Sequence, residues 1–251
     1  MLYGLYLSAT GIMTNSYRQD VISNNLANSE TTGFKRDVPA FRERMVAAQE
    51  SRNPNDWSDP LLNGISGGTF AQPNHIDFEQ GGIEQTGSPL DVALQGDGFF
   101  GVDEGGKMRL TRDGRFQLDR SGTLILTDGQ RVLDQNGKPI TISTDAPVTV
   151  DRTGHIMQNG QVAATLGLFD VPDKSKLTKL GNGLLDYPNT NQLTQATPTV
   201  HGEHLESSNV DPTTELAELL DTQRQLEANA NMIHTQDSTL QLLVNNVGKI
   251  S

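Results

Sequence analysis

The chain has 251 residues, 19 Lys and Arg against 31 Asp and Glu, and a formal net charge of −12. This acidic balance argues against duplex nucleic acid as the main partner, because phosphate contacts need a net basic face. No stretch approaches the ~20 apolar residues of a membrane helix, which excludes an integral membrane protein of that kind. The absence of cysteine excludes a thiol nucleophile, a disulfide scaffold and a thiolate metal site.

Residues 1–28 read as a helix. Leu2, Leu5, Ala9, Ile12, Ser16 and Leu26 fit a seam loosely, with Tyr6, Met13 and Tyr17 beside it. Asn15, Asn24, Asn25 and Asn28 lower intrinsic helicity, so this helix needs a partner. Gly33 marks a stop. The opening MLYGLYLSATGIM has no Lys or Arg before its apolar part and is interrupted by Gly4 and Gly11. It therefore does not read as a cleavable secretory signal. Residues 1–47 form the N-terminal segment, and 48–69 a polar linker rich in Asn, Pro, Ser and Gly, with Trp57.

Residues 70–200 read as a mostly antiparallel β domain rich in hairpins. Four Asp-x-x-Gly tetrads recur, at Asp103–Gly106, Asp119–Gly122, Asp134–Gly137 and Asp151–Gly154. Asp supplies the turn hydrogen bonds and Gly the positive φ, and each interval fits two short strands. Asp113-Gly114 and Asp128-Gly129 look like further hairpin turns.

Residues 201–251 carry a heptad helix. Leu219, Leu226, Ile233, Leu240 and Val247 fall seven apart, and a second set, Leu216, Gln223, Ala230, Asp237 and Val244, lies three positions before each. Asp211 suits an N-cap and Pro212 a first helical turn. Residues 203–251 have a charge balance of −6 and residues 1–47 a balance of +1, a bias that helps the two ends pair. The expected fold class is α+β: N- and C-terminal helices paired as a coiled coil around a central β domain.

Three motif matches fail on their context. Gly96-x-Gly98-x-x-Gly101 matches a dinucleotide fingerprint, but Val102-Asp-Glu-Gly-Gly106 leads into a turn where that site needs a helix. Gly64-x-Ser66-x-Gly68 matches a nucleophile elbow without the flanking strand and helix. His201-x-x-His204 has Gly202 between the two imidazoles and precedes the predicted helix, so solvated histidines are the better reading than a metal site. The expectation is a protein with no catalytic site, no metal and no cofactor.

Three ordered segments carry a family resemblance. NNLANSETTGFK at 24–35 resembles the N-terminal signature of flagellar basal-body rod and hook proteins, matching at Asn25, Leu26, Ala27, Asn28, Thr31, Gly33 and Phe34. GSPLDVALQGDGFF at 87–100, continued by LTRDGRFQLDRSGTLILTDG at 110–129, is similar to the opening of that family's β domain. LESSNVDPTTELAELLDTQRQLEAN at 205–229 looks like its C-terminal signature, with Leu226 where the family usually has an aromatic. The resemblance implies a structural subunit that assembles with itself and with other rod subunits into a torque-transmitting helical tube across the periplasm. It implies export by the flagellar type III apparatus without a cleaved signal. The chain length leans toward the proximal rod type over the distal one. The assembly interface expected on this basis comprises Leu5, Ile12, Leu26, Leu219, Leu226, Ile233, Leu240 and Val247. Phe41-x-x-x-Met45 resembles a short export element of such substrates, a packed hydrophobic pair being the other reading. A ligand-binding β module on a coiled-coil stalk is the rival from another class, and a hydrolase using Ser66 a distant third. The scarcity of aromatics for a sugar platform argues against the β module.

Overall fold

The computed structural model describes residues 2–43, 67–144 and 146–247. Met45 and most of the 48–69 linker, including Trp57 and Ser66, lie outside the described residues. The fold is α+β and divides into two compact units. One is helical and gathers residues 1–27, 37–75 and 211–251; the other is the β unit, residues 28–36 and 76–210.

In the helical unit, α1 (Leu2–Ala27) packs against α2 (Pro212–Val247). β1 (Asp37–Glu43) pairs with β2 (Thr69–Ile76) in a two-stranded sheet. The α2 start follows from local chemistry. Asp211 Oδ1 accepts from the Thr213 amide at 3.1 Å, its backbone oxygen accepts from the Glu215 amide at 3.0 Å, and Pro212 occupies the first position. Hydrogen bonds from the Thr214 hydroxyl and the Thr213 amide hold the Asp211 carboxyl below the usual carboxylate range.

The β unit is antiparallel throughout its described pairings. Its first two strands are β3 (Ile83–Gln85) and β4 (Val92–Gln95). The largest sheet is built around β5 (Phe99–Glu104) and β6 (Lys107–Thr111), with β7 (Phe116–Leu118), β8 (Leu124–Leu126) and β9 (Arg131–Val132) on one side. β10 (Val148–Val150), β11 (His155–Gln158) and β12 (Gln161–Thr165) form a separate three-stranded sheet. β13 (Leu168–Asp170), β14 (Thr178–Gly181), β15 (Leu184–Asp186) and β16 (Thr194–Gln195) complete the large sheet. β17 (Thr199–Gly202) then pairs with β4, and β18 (His204–Glu206) with β3.

β5 is buried on both faces, and strand alternation sends Phe100 and Val102 into one apolar cluster and Phe99 into another. A Cβ on Gly101 would stand 2.5 Å from the Phe169 ring, so this position admits only glycine without repacking.

The Asp-x-x-Gly turns form as their chemistry requires. Asp119 Oδ1 accepts from the Ser121 and Thr123 amides, both at 2.8 Å. Asp134 holds Asn136 and Lys138 in the same way, and Asp151 holds Thr153 and His155. Gly122, Gly137 and Gly154 close these turns with φ of 79°, 74° and 83°.

Candidate assembly interface

The seam between α1 and α2 can be read residue by residue. The least exposed positions of α2 include Glu215, Leu219, Thr222, Leu226, Asn229, Ile233, Gln236 and Leu240, alternating by three and four. Leu219, Leu226, Ile233 and Leu240 are thus half-buried, while Val247 ends the helix with its side chain outside the description. Of the second expected heptad set only Ala230 is half-buried, and the rest do not line the seam. Leu216 is 48% and Val244 71% exposed, and Gln223 and Asp237 are exposed as well. Positions one residue earlier take their place: Glu215, Thr222, Asn229 and Gln236.

The reason lies on α1. Ser8, Asn15 and Ile22, seven apart, are buried there with Val21 and Asn25, and Leu5, Ile12 and Leu26 are half-buried. A Cβ on Gly4 would fall 2.7 Å from the Gln236 side-chain nitrogen, and one on Gly11 2.9 Å from that of Asn229. Asn25 Nδ2 lies 3.4 Å from Glu215 Oε2. The three pairs climb one helix while descending the other, so the helices run antiparallel. The two glycines that interrupt the opening apolar run are where amide side chains of α2 lie against the α1 backbone.

A seam filled with amides, hydroxyls and glycines leaves large apolar side chains outside. Leu220 is 55% exposed, Met232 53%, Leu242 63% and Met13 73%. Leu216 and Leu220 sit one turn apart, and Leu242, Leu243 and Val244 are exposed in succession across a wide arc of the helix end. Exposed apolar surface on this scale marks an interaction face.

The expected signature residues divide between the units. Asn25, 1% exposed, exchanges two hydrogen bonds with the Asp37 backbone, both at 2.9 Å, and so fixes the start of β1 against α1. Leu26 and Ala27 end α1, Ala27 exposed. Asn28, Gly33 and Phe34 belong to the β unit, where Gly33 and Phe34 are buried. Gly33 has φ 67°, and a Cβ on it would stand 2.5 Å from the Arg112 backbone. Its amide donates to the Glu206 backbone oxygen at 2.8 Å. The Lys179 ammonium lies 4.0 Å from the centroid of the Phe34 ring. Phe41 is half-buried in the helical unit, edge-on to Tyr17 and beneath the Arg18 guanidinium.

A buried charge cluster in the β unit had no signal in spacing. Glu206 accepts from Lys35 Nζ at 2.6 Å through one carboxylate oxygen and from Arg112 at 3.0 Å through the other, and all three side chains are buried. Lys35 Nζ also donates to the Glu79 backbone oxygen at 2.8 Å, and Arg112 to that of Gly96 at 2.7 Å. Burial pulls the Lys35 ammonium below the usual lysine range, and the Glu206 carboxylate opposes that pull. The cluster joins residues 171 and 94 positions apart, so no local pattern announces it.

Two of the three dismissed motifs lie within the described residues. Gly96 and Gly98 have φ of 102° and 137° and lead into β5, not into a helix. Gly64 and Ser66 lie outside the described residues, and Gly68 packs near Thr10. His201 Nε2 is 2.8 Å from Gln95 Oε1, and His204 Nδ1 is 2.7 Å from the Gly202 oxygen. Among the described residues no group of three or more His, Asp or Glu is placed to hold a metal ion, and no helix is long and apolar enough to cross a membrane.

Comparison with known proteins matches three families along the chain. Flagella basal body rod protein matches residues 5–35, the flagellar hook protein FlgE/F/G D1 domain matches 93–164, and the flagellar basal body rod FlgEFG protein C-terminal matches 201–246. Similar proteins include the flagellar basal-body rod protein FlgF of Caulobacter vibrioides, 34% identical over 98% of each chain. FlgG of Buchnera aphidicola subsp. Schizaphis graminum is 34% identical over 97% of this chain and 99% of its own, and FlgG of Bacillus subtilis 32% identical over 98% and 99%.

Proposed function

The chain belongs to the flagellar basal-body rod protein family, and on that premise we propose that it is a structural subunit of the bacterial flagellar rod. Its terminal helices assemble with other copies and with other rod subunits into a helical tube that spans the periplasm and transmits torque. Its work is mechanical, and it performs no catalysis. The observation that carries this reading is the inverted helix pair: a polar seam inside and leucines outside. A pair built to stand alone would bury Leu216, Leu220, Met232 and Leu242. Contacts that repeat head to tail without closing generate an open helical filament.

The subunit reaches the rod through the flagellar type III export apparatus. Phe41 serves as part of an export element only while the chain is unfolded, because in the folded helical unit its ring packs against Tyr17. Chain length favours the FlgF type narrowly over FlgG, and relatives of both types share 34% identity with the chain. Replacing Leu220 by Asp tests the assembly face. Removing one buried leucine contact per subunit costs roughly 1.5–3 kcal/mol at each interface, and the side chain is exposed in the free chain. The variant should be expressed and exported normally, yet basal bodies purified from that strain should lack complete rods. Complete rods and normal swimming would refute the proposed face.

A further inference from the structure

Three stretches of the β unit carry the points where the chain passes to or from the helical unit: 28–36, entered after Ala27 and left after Arg36, the stretch that begins at Ile76, and the stretch that ends at Val210. Asn209 lies on the third and bonds to the other two. Its Oδ1 accepts from the Arg36 amide at 2.7 Å, its Nδ2 donates to the Asp77 and Glu79 backbone oxygens at 3.0 and 3.1 Å, and its own amide donates to the Phe34 oxygen at 3.4 Å. The Asp77 amide donates to the Arg36 oxygen at 2.8 Å. Elsewhere on the same stretches, Glu206 repeats the pattern with charge: its Oε1 accepts from Lys35 Nζ and, at 3.1 Å, from the Gly81 amide. Gly81 lies so close to this stretch that a Cβ would stand 2.0 Å from the Ser207 oxygen. Only an amide side chain accepts from one backbone group and donates to two others in this way.

We infer that Asn209 and Glu206 form a clasp through which force on the helical unit enters the β unit along three polypeptide stretches in parallel. This rests on the reading of the chain as a rod subunit. A pull on any one stretch is opposed by hydrogen bonds to the other two, so the bonds share the strain and yield together. Without the clasp, each crossing would peel from the β unit separately.

The test uses the full chain carrying Asn209→Asp, which keeps the shape and the acceptor and removes both donors. In the purified protein, hydrogen exchange at the amides of Asp77 and of residue 209 should accelerate by roughly tenfold or more, with protection at Val102 and Leu124 unchanged. In cells, rods should be present in normal number and swimming normal in thin medium, while speed in medium thickened to load the motor should fall several-fold below wild type. Wild-type speed under load would overturn the clasp. So would a uniform loss of protection across the β unit, or a failure to build rods, since either would make Asn209 a folding residue only. A gene deletion that leaves complete rods would instead sink the subunit reading itself, so the two failures are told apart.

Discussion

Glu206 is the residue on which the β unit's buried electrostatics turn. Its single negative charge is shared by two cations, and its removal leaves both in a low-dielectric site without a counter-charge. Glu206→Gln should therefore lower the stability of the full chain by about 3–5 kcal/mol, read as a fall in the urea midpoint at neutral pH. Lys35→Met should cost less, because it leaves a neutral Arg112–Glu206 pair, and the two oxygens that lose the Lys35 donor each keep another, Glu206 Oε1 the Gly81 amide and the Glu79 oxygen Asn209 Nδ2. The members of this cluster were each visible in the sequence, in TTGFK, LTRDG and HLESS, as three separate likenesses. What was not visible is that they meet, because charge pairing at such separations has no period. Gly33 was visible as a stop signal; its structural reason is stricter, a positive φ packed against the Arg112 backbone.

At the scale of elements, the tight turns were the most legible part of the fold. An Asp side chain reaches the amides two and four residues on, and Gly takes the positive φ, so the whole device fits within five residues. The helix seam was legible only by half. The set Leu219, Leu226, Ile233 and Leu240 follows from apolar spacing. Its companion set is polar and becomes apparent only when Gly4 and Gly11 are placed opposite Gln236 and Asn229. The turns also contribute to the acid limb of stability. The Ser121 hydroxyl and the Thr123 amide hold the Asp119 carboxyl below the usual carboxylate range, and the Ser175 hydroxyl does the same for Asp173. At Asp151, burial pulls upward and is outweighed by hydrogen bonds from Thr153 and His155. A depressed folded value means that the stabilisation is fully present above the unfolded value of about 3.9 and is lost as pH falls through the lower folded one. Urea midpoints should therefore drop below that pH, and Asp119→Asn with Asp151→Asn should flatten the decline. An unchanged slope in the double variant would place the acid sensitivity elsewhere.

For the whole molecule, the division into units cuts across the order of the chain. The β unit includes residues 28–36, which lie in sequence between two pieces of the helical unit. A reading by consecutive segments has no means to assign them there, since TTGFK contains neither strand alternation nor a turn repeat. This predicts how the β unit behaves when cut out. A fragment of residues 70–200 omits Lys35, Glu206 and Asn209 but keeps both apolar clusters. It should still melt cooperatively by circular dichroism, at a lower temperature than a fragment of residues 28–210. Equal melting temperatures would mean that the buried cluster adds nothing to the unit on its own.

The pairing of Gly4 with Gln236 and of Gly11 with Asn229 also makes the helix pair a test of completeness. Its two halves lie on α1 and α2, far apart in sequence, so a chain that stops before α2 contains only one of them. A product terminated before α2 would keep most of its hairpins and present a lone, asparagine-rich α1 that is marginal in water. Quality control then needs no dedicated device: a chain missing its tail also lacks the outward leucines of α2, and with them the means to enter a growing filament and stop it.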